Sequence, residues 1–170
     1  MNSVIKKVSA AVILFTFCGM CGWIYETAVT SYLWGRFAER GFLHIPVLPI
    51  YGVFAFLMLP LFRKHNGWLT VFLGGMAFTT ALEFVCSYLI EWVLGEGLWS
   101  YSNWDFNYDG RISLYSSLVF GVFSVILIKL AYPAVKKMYE KAPSWILYTI
   151  GTIFAAAIIS DFIYVVMYGK

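Results

Sequence analysis

The chain reads as an all-α, polytopic membrane helical bundle of about five transmembrane helices, and three observations predict it. Of its 170 residues, 61% are hydrophobic and 12% are charged, about half the charge of an ordinary soluble domain. Mean hydropathy is +0.77, and a soluble fold of this size could not hide so much apolar surface, whereas a bilayer can. The apolar residues also gather into five runs at or near the length of about 20 residues that crosses roughly 30 Å of hydrocarbon. One transmembrane domain over residues 1–170 is expected, with spans at about 8–33, 47–62, 68–94, 114–132 and 145–168.

The first run follows Lys6 and Lys7, as a signal peptide would. It is too long for an h-region and ends in WIYETAV without a small-residue cleavage pattern, so it is expected to be an uncleaved span. The second is short and carries Pro46, Pro49 and Pro60. An ordinary helix cannot run through GFLHIPVLPIYG. Two readings stand: an extended or re-entrant segment that lines a cavity and turns helical near Ile50, or a Pro-rich turn before a short helix. The third run holds Gly74 and Gly75, and the first holds Gly19 and Gly22, small residues that let helices approach closely. The fourth and fifth runs are continuous. No convincing internal repeat or soluble linker is evident.

Basic residues in short loops set the orientation. Lys6, Lys7, Arg63, Lys64, Lys129, Lys136, Lys137 and Lys141 fall on one side; Arg36, Arg40, Arg111 and Lys170 fall on the other. The imbalance predicts an integral protein of the cytoplasmic (inner) membrane with its N-terminus cytoplasmic and its C-terminus extracytoplasmic. The net charge of +3 is small and scattered, which argues against a nucleic-acid partner.

Glu96–Leu114 differs from everything around it. It packs Trp99, Trp104, Tyr101, Phe106 and Tyr108 among Asn103, Asp105, Asn107, Asp109 and Arg111, a polar-aromatic loop predicted outside. The Trp residues there suit an aromatic belt at the interface, or a surface that stacks on a sugar or apolar ligand. Beneath it lie acids within the spans. Glu26 is 18 residues above Val8, Glu83 is 15 above Trp68, and Asp161 is 16 above Trp145. At 1.5 Å per residue all three sit roughly 22 to 27 Å up, at one level. Intramembrane carboxylates are expensive to bury and are candidate functional groups. Such a level must hold protons, bind a cation, or be neutralised by Arg36, Arg40 and Arg111; Arg111 is the natural counter-charge.

Other chemistries find less support. Cys18 and Cys21 form a CxxC deep in an apolar helix, where a thiolate is disfavoured. Cys86 is distant in depth, and His44 and His65 are predicted on opposite sides, so no metal site is expected. GxxxxGK[ST] does not occur, so any nucleotide hydrolysis would belong to another chain. No cofactor is expected.

Three motifs taken together carry a resemblance: GWIYE (Gly22–Glu26), RGFLHIPVLPIYG (Arg40–Gly52) and LWSYSNWDFNYDGRISL (Leu98–Leu114). The chain resembles, from about Gly22 to Gly121, the ABC-transporter permease family of the CmpB type, a group of small multi-pass membrane proteins. The match brings forward Glu26, Arg40, Gly41, Pro46, Pro49, Tyr51, Gly52, Glu83, Trp99, Tyr101, Asn107, Gly110 and Arg111. Glu39, Ile45 and Ser100 depart from the family pattern, and Ser100 lacks an acid found there. The resemblance implies transport. Glu26, Glu83, Arg111, Arg40, Asp161, Tyr51, Trp99, Tyr101 and Asn107 are therefore the expected substrate-binding set, in a polar pocket facing the extracytoplasmic side. Membrane lipid, and either a second copy of the chain or a separate nucleotide-binding subunit, are the expected partners. Two other readings stand beside it: an enzyme acting on a lipid head group, and a non-catalytic assembly or regulatory subunit. No catalytic nucleophile is evident, so the enzyme reading lacks its central residue.

Overall fold

The computed structural model describes residues 2–64, 67–97 and 99–170; His65 and Leu98 lie outside them. The elements in order are α1 (Asn2–Trp34), α2 (Pro49–Phe62), α3 (Trp68–Leu94), β1 (Asn107–Tyr108), β2 (Ile112–Ser113), α4 (Leu114–Ile126), a π-helical turn (Leu127–Ala131), α5 (Tyr132–Lys141) and α6 (Ser144–Tyr168). Among the described residues four helical runs are long and apolar enough to cross a membrane: Ser3–Trp34, Trp68–Val93, Leu114–Lys141 and Ser144–Tyr168. The chain is an all-α, membrane-type bundle. Large apolar side chains such as Ile24, Leu73, Val85, Val122, Ile153 and Ile159 stand exposed on the long helices. That distribution suits hydrocarbon, which costs an apolar surface nothing.

The chain divides into two compact units, Met1–Leu57 with Ala131–Lys170, and Met58–Leu130. In the first, α1 packs against α6 and α5. Ser9 of α1 meets Gly151 of α6 so closely that a Cβ at Gly151 would lie 2.7 Å from the serine Cβ. Gly19 backs onto Val47 and Leu48, and Gly22 onto the Tyr51 ring. Small residues thus set the approach where α1 receives the chain that follows it.

That following chain, 35–48, is the irregular segment foreseen around the prolines. Its amide groups find protein acceptors, as an apolar surrounding requires. Ala38 N donates to Ser31 Oγ, Arg40 N to Thr27 Oγ1, and His44 and Ile45 N to Asp161 Oδ2; Leu48 N donates to Gly19 O at 3.0 Å. Helix resumes at Pro49, whose missing N–H is no loss in a first turn. α2 has 14 residues, about 21 Å of helix, less than a full hydrocarbon thickness.

In the second unit α3 packs along α4. Gly75 lies under Ser124 and Met58, Gly74 under Phe62, and Gly121 under Phe72. The buried positions along α3 and α4 include Thr79, Glu83, Ser87, Ser116, Ser117 and Ser124, so this interface is lined with hydroxyls. Most of them bond to a carbonyl in their own helix, as Thr79 does to Gly75 O and Ser124 to Phe120 O. Gly95 ends α3 with φ +77 and returns its N–H to Glu91 O, the left-handed cap glycine favours.

The two largest departures from the expected boundaries lie in α1 and the fourth run. α1 begins before Val8, at Asn2. The fourth run does not stop at Tyr132: the π-helical turn carries it into α5, which has Pro133 in its first turn, where proline is tolerated. α5 is amphipathic, with Lys136 paired to Glu140 four residues on. Its end is held to α1, where Lys6 donates to Ala142 O and lies over the Tyr139 ring. Ala142 is extended (ψ 143) before Pro143, as a residue preceding proline must be.

Candidate functional site

Polar side chains gather in both units. Glu26, Arg40, Tyr51 and Asp161 belong to the first unit; Glu83, Trp99, Tyr101, Asn107 and Arg111 belong to the second.

In the first unit Glu26 lies one helical turn beyond Gly22 on α1. The ring of Tyr51 seats on that glycine and its hydroxyl donates to Glu26 Oε1 at 3.0 Å. Arg40 comes from the irregular segment, anchored by its own amide to Thr27 Oγ1 at 3.3 Å. Its Nε stands 3.6 Å from Glu26 Oε2, with the two side chains 33% and 31% exposed, so the pair is an ion pair rather than a hydrogen bond and is open on one side. Arg40 Nε and Trp23 Nε1 are buried atoms without a hydrogen-bond partner among the described residues.

Asp161 works elsewhere in the same unit. From α6 it accepts from His44 N (2.7 Å), Ile45 N (3.0 Å) and His44 Nδ1 (2.9 Å). Lys170 donates to the carbonyls of Gly41 and Leu43 at 2.9 and 2.6 Å. Together they clamp the 41–45 backbone to α6 and the chain end.

In the second unit Glu83, 4% exposed, accepts from Tyr101 Oη at 2.7 Å. Ser116 Oγ is 3.4 Å from Glu83 Oε2 but 2.9 Å from Ser113 O, and its single proton favours the shorter bond. Arg111 is tied into its own unit by several bonds. Its guanidinium reaches Glu91 Oε2 through Nη2, Asp109 Oδ2 at 3.0 Å through Nε and Ser87 Oγ at 3.5 Å, and stacks over the Tyr88 ring at 3.8 Å. It is a rivet between the loop and the end of α3.

Trp99 and Asn107 also hold the loop. Trp99 Nε1 donates to Arg111 O at 3.1 Å, Asn107 Nδ2 to Trp104 O at 2.7 Å, and Gly110 N to Asn107 Oδ1 at 3.0 Å. These bonds frame a small hairpin in which Asn107 pairs with Ser113 and Tyr108 with Ile112. Asp109 and Gly110 at its tip both have positive φ, 55° and 64°. The hairpin is the feature sequence reasoning missed, and its signal was the Asp-Gly pair, a strong marker of a tight turn. Ser113 then caps α4, accepting from Tyr115 N at 3.2 Å, so hairpin and helix are joined without a linker.

Asp109 titrates outside the spans. Hydrogen bonds from Tyr88 Oη and Arg111 hold its carboxyl below the ordinary aspartate range, so these bonds favour the charged form. A depressed folded value contributes order that is complete above the ordinary range and is lost as pH falls through the folded value. The indole N–H resonance of Trp99 should therefore stay fixed through the ordinary aspartate range and move only below it; movement within that range would contradict the pairing.

The two units share a local device. In each a Phe on the long helix packs against a Gly of the helix that follows, Phe15 on Gly52 and Phe72 on Gly121. Each Phe stands eleven residues before a Glu that accepts a bond from a Tyr hydroxyl, Glu26 from Tyr51 and Glu83 from Tyr101. Among the described residues, no group of three or more His, Cys, Asp or Glu is placed to hold a metal ion. Cys18, Cys21 and Cys86 are free thiols.

A family model described as "Putative ABC-transporter type IV", of the CmpB type, matches residues 13–166. Comparison with curated proteins and with solved structures found no match.

Proposed function

Because the chain belongs to the CmpB-type ABC-transporter family, we propose that this integral membrane, transporter-like protein is the permease-like subunit of a transporter, with a ligand site at Glu26, Arg40 and Tyr51. The observation that carries this reading is the open ion pair. A carboxylate on α1 and a guanidinium on the irregular segment stand 3.6 Å apart, each about one-third exposed. A pair kept only to fasten the fold gains most by closing into two parallel hydrogen bonds; this one leaves Arg40 Nε unbonded. Tyr51 fixes the other carboxylate oxygen, so the geometry is held ready rather than slack.

In this reading the N-terminus is cytoplasmic, the C-terminus extracytoplasmic, and the site opens outward. Glu83 with Tyr101 is a second, more enclosed carboxylate in the other unit. The nucleotide-binding subunit is a separate chain, and a second copy of this chain completes the assembly within the inner-membrane lipid. The test is isolation of the tagged chain from its native membrane in mild detergent. A co-isolating subunit that hydrolyses ATP supports the reading; a bare single chain with no ATPase activity contradicts it.

A further inference from the structure

The Glu26–Arg40 pair has a charge balance that selects among ligands. Glu26 has four lone-pair sites and Tyr51 uses one; Arg40 has five donors, and its Nε has no hydrogen-bond partner among the described residues. A simple anion drawn to Arg40 would meet the Glu26 carboxylate alongside it, and a simple cation drawn to Glu26 would meet the guanidinium. Each lone charge is opposed by a like charge about as close as its partner. A molecule that carries both charges meets neither penalty. Its cationic group accepts the carboxylate, its anionic group takes the guanidinium donors, and both protein charges gain the bonds that partial burial costs them.

We propose that Glu26 and Arg40 bind a zwitterion, a molecule with an ammonium and a phosphate or carboxylate a few Å apart. This assignment rests on the ligand-site reading above and names its substrate class. Tyr51 orients the carboxylate by holding Oε1, which leaves Oε2 on the Arg40 side. The same chemistry serves a free solute and a zwitterionic lipid head group.

The experiment has two arms on the full-length chain in phosphatidylglycerol nanodiscs. Calorimetry compares phosphoethanolamine with ethanolamine alone and inorganic phosphate alone. Native mass spectrometry compares retention of added phosphatidylethanolamine with that of phosphatidylglycerol. Preference for the zwitterion by at least tenfold, lost at least tenfold in both Glu26→Gln and Arg40→Lys, is the expected result; the arm that shows it identifies a free solute or a lipid. Arg40→Lys keeps the charge but loses the planar fork, so it carries the test if Glu26→Gln does not fold. Tighter binding of phosphate or ethanolamine alone, with the same dependence on Glu26, overturns the zwitterion and leaves the ligand site standing. No binding of any probe to the folded wild-type chain overturns both.

Discussion

Gly22→Val is expected to destabilise the first unit by about 3 kcal/mol, the sum of overpacking and one displaced hydrogen bond. A side chain there has no room, because a Cβ would lie 2.3 Å from the nearest atom of the Tyr51 ring. Moving the ring withdraws its hydroxyl from Glu26, so the packing fault becomes a fault in the site. The two effects separate by a double-mutant comparison. In a Tyr51→Phe background the hydroxyl is absent, and Gly22→Val should cost less by the share of the lost bond. Thermal unfolding in mild detergent measures both. Equal costs in the two backgrounds would mean that Tyr51 does not link the packing to Glu26.

Asp161→Ala should release the 41–45 segment. The aspartate receives two backbone N–H groups and the His44 ring, and its removal strands two amides that have no helix to return to. At about 1 to 1.5 kcal/mol for each stranded amide, the local cost is on the order of 3 kcal/mol. That is about a hundredfold in the opening equilibrium. Amide hydrogen exchange at His44 and Ile45 should quicken by about that factor, while amides at the Ser9–Gly151 contact of α1 and α6 keep their rates. Asp161→Asn retains one acceptor and should fall between. Unchanged exchange at His44 and Ile45 would show that the segment is held by other bonds.

These expectations show where the sequence was transparent. The helices were legible because a membrane span needs little more than length and apolar character, and α3 and α6 begin and end within about a residue of their expected limits. The irregular stretch before α2 was legible for a chemical reason, since Pro46 and Pro49 cannot continue a helix and Gly41, with φ +104, takes a conformation other residues avoid. The partners of the acids were not legible. Helical rise suggests depth, but the choice of counter-charge depends on how a loop folds back. The two-residue strands of the hairpin are too short to show alternation. They turn Arg111 toward Glu91 and Asp109, a consequence of Asp109 and Gly110 both adopting left-handed backbone. Asp161, likewise, meets the backbone and ring of a segment more than a hundred residues earlier. α5 was hidden because its charge content resembles a loop, and its helicity depends on following the π-helical turn and resting on α1.

The ion pair of Glu26 and Arg40 bears the functional weight, and native mass spectrometry of the chain isolated in mild detergent tests it most directly. The account predicts a wild-type protein that carries a bound small molecule or lipid, and a Glu26→Gln protein that unfolds at nearly the same temperature but has lost that mass. A wild-type chain with nothing bound, or a bound mass that persists unchanged in Glu26→Gln, would contradict it.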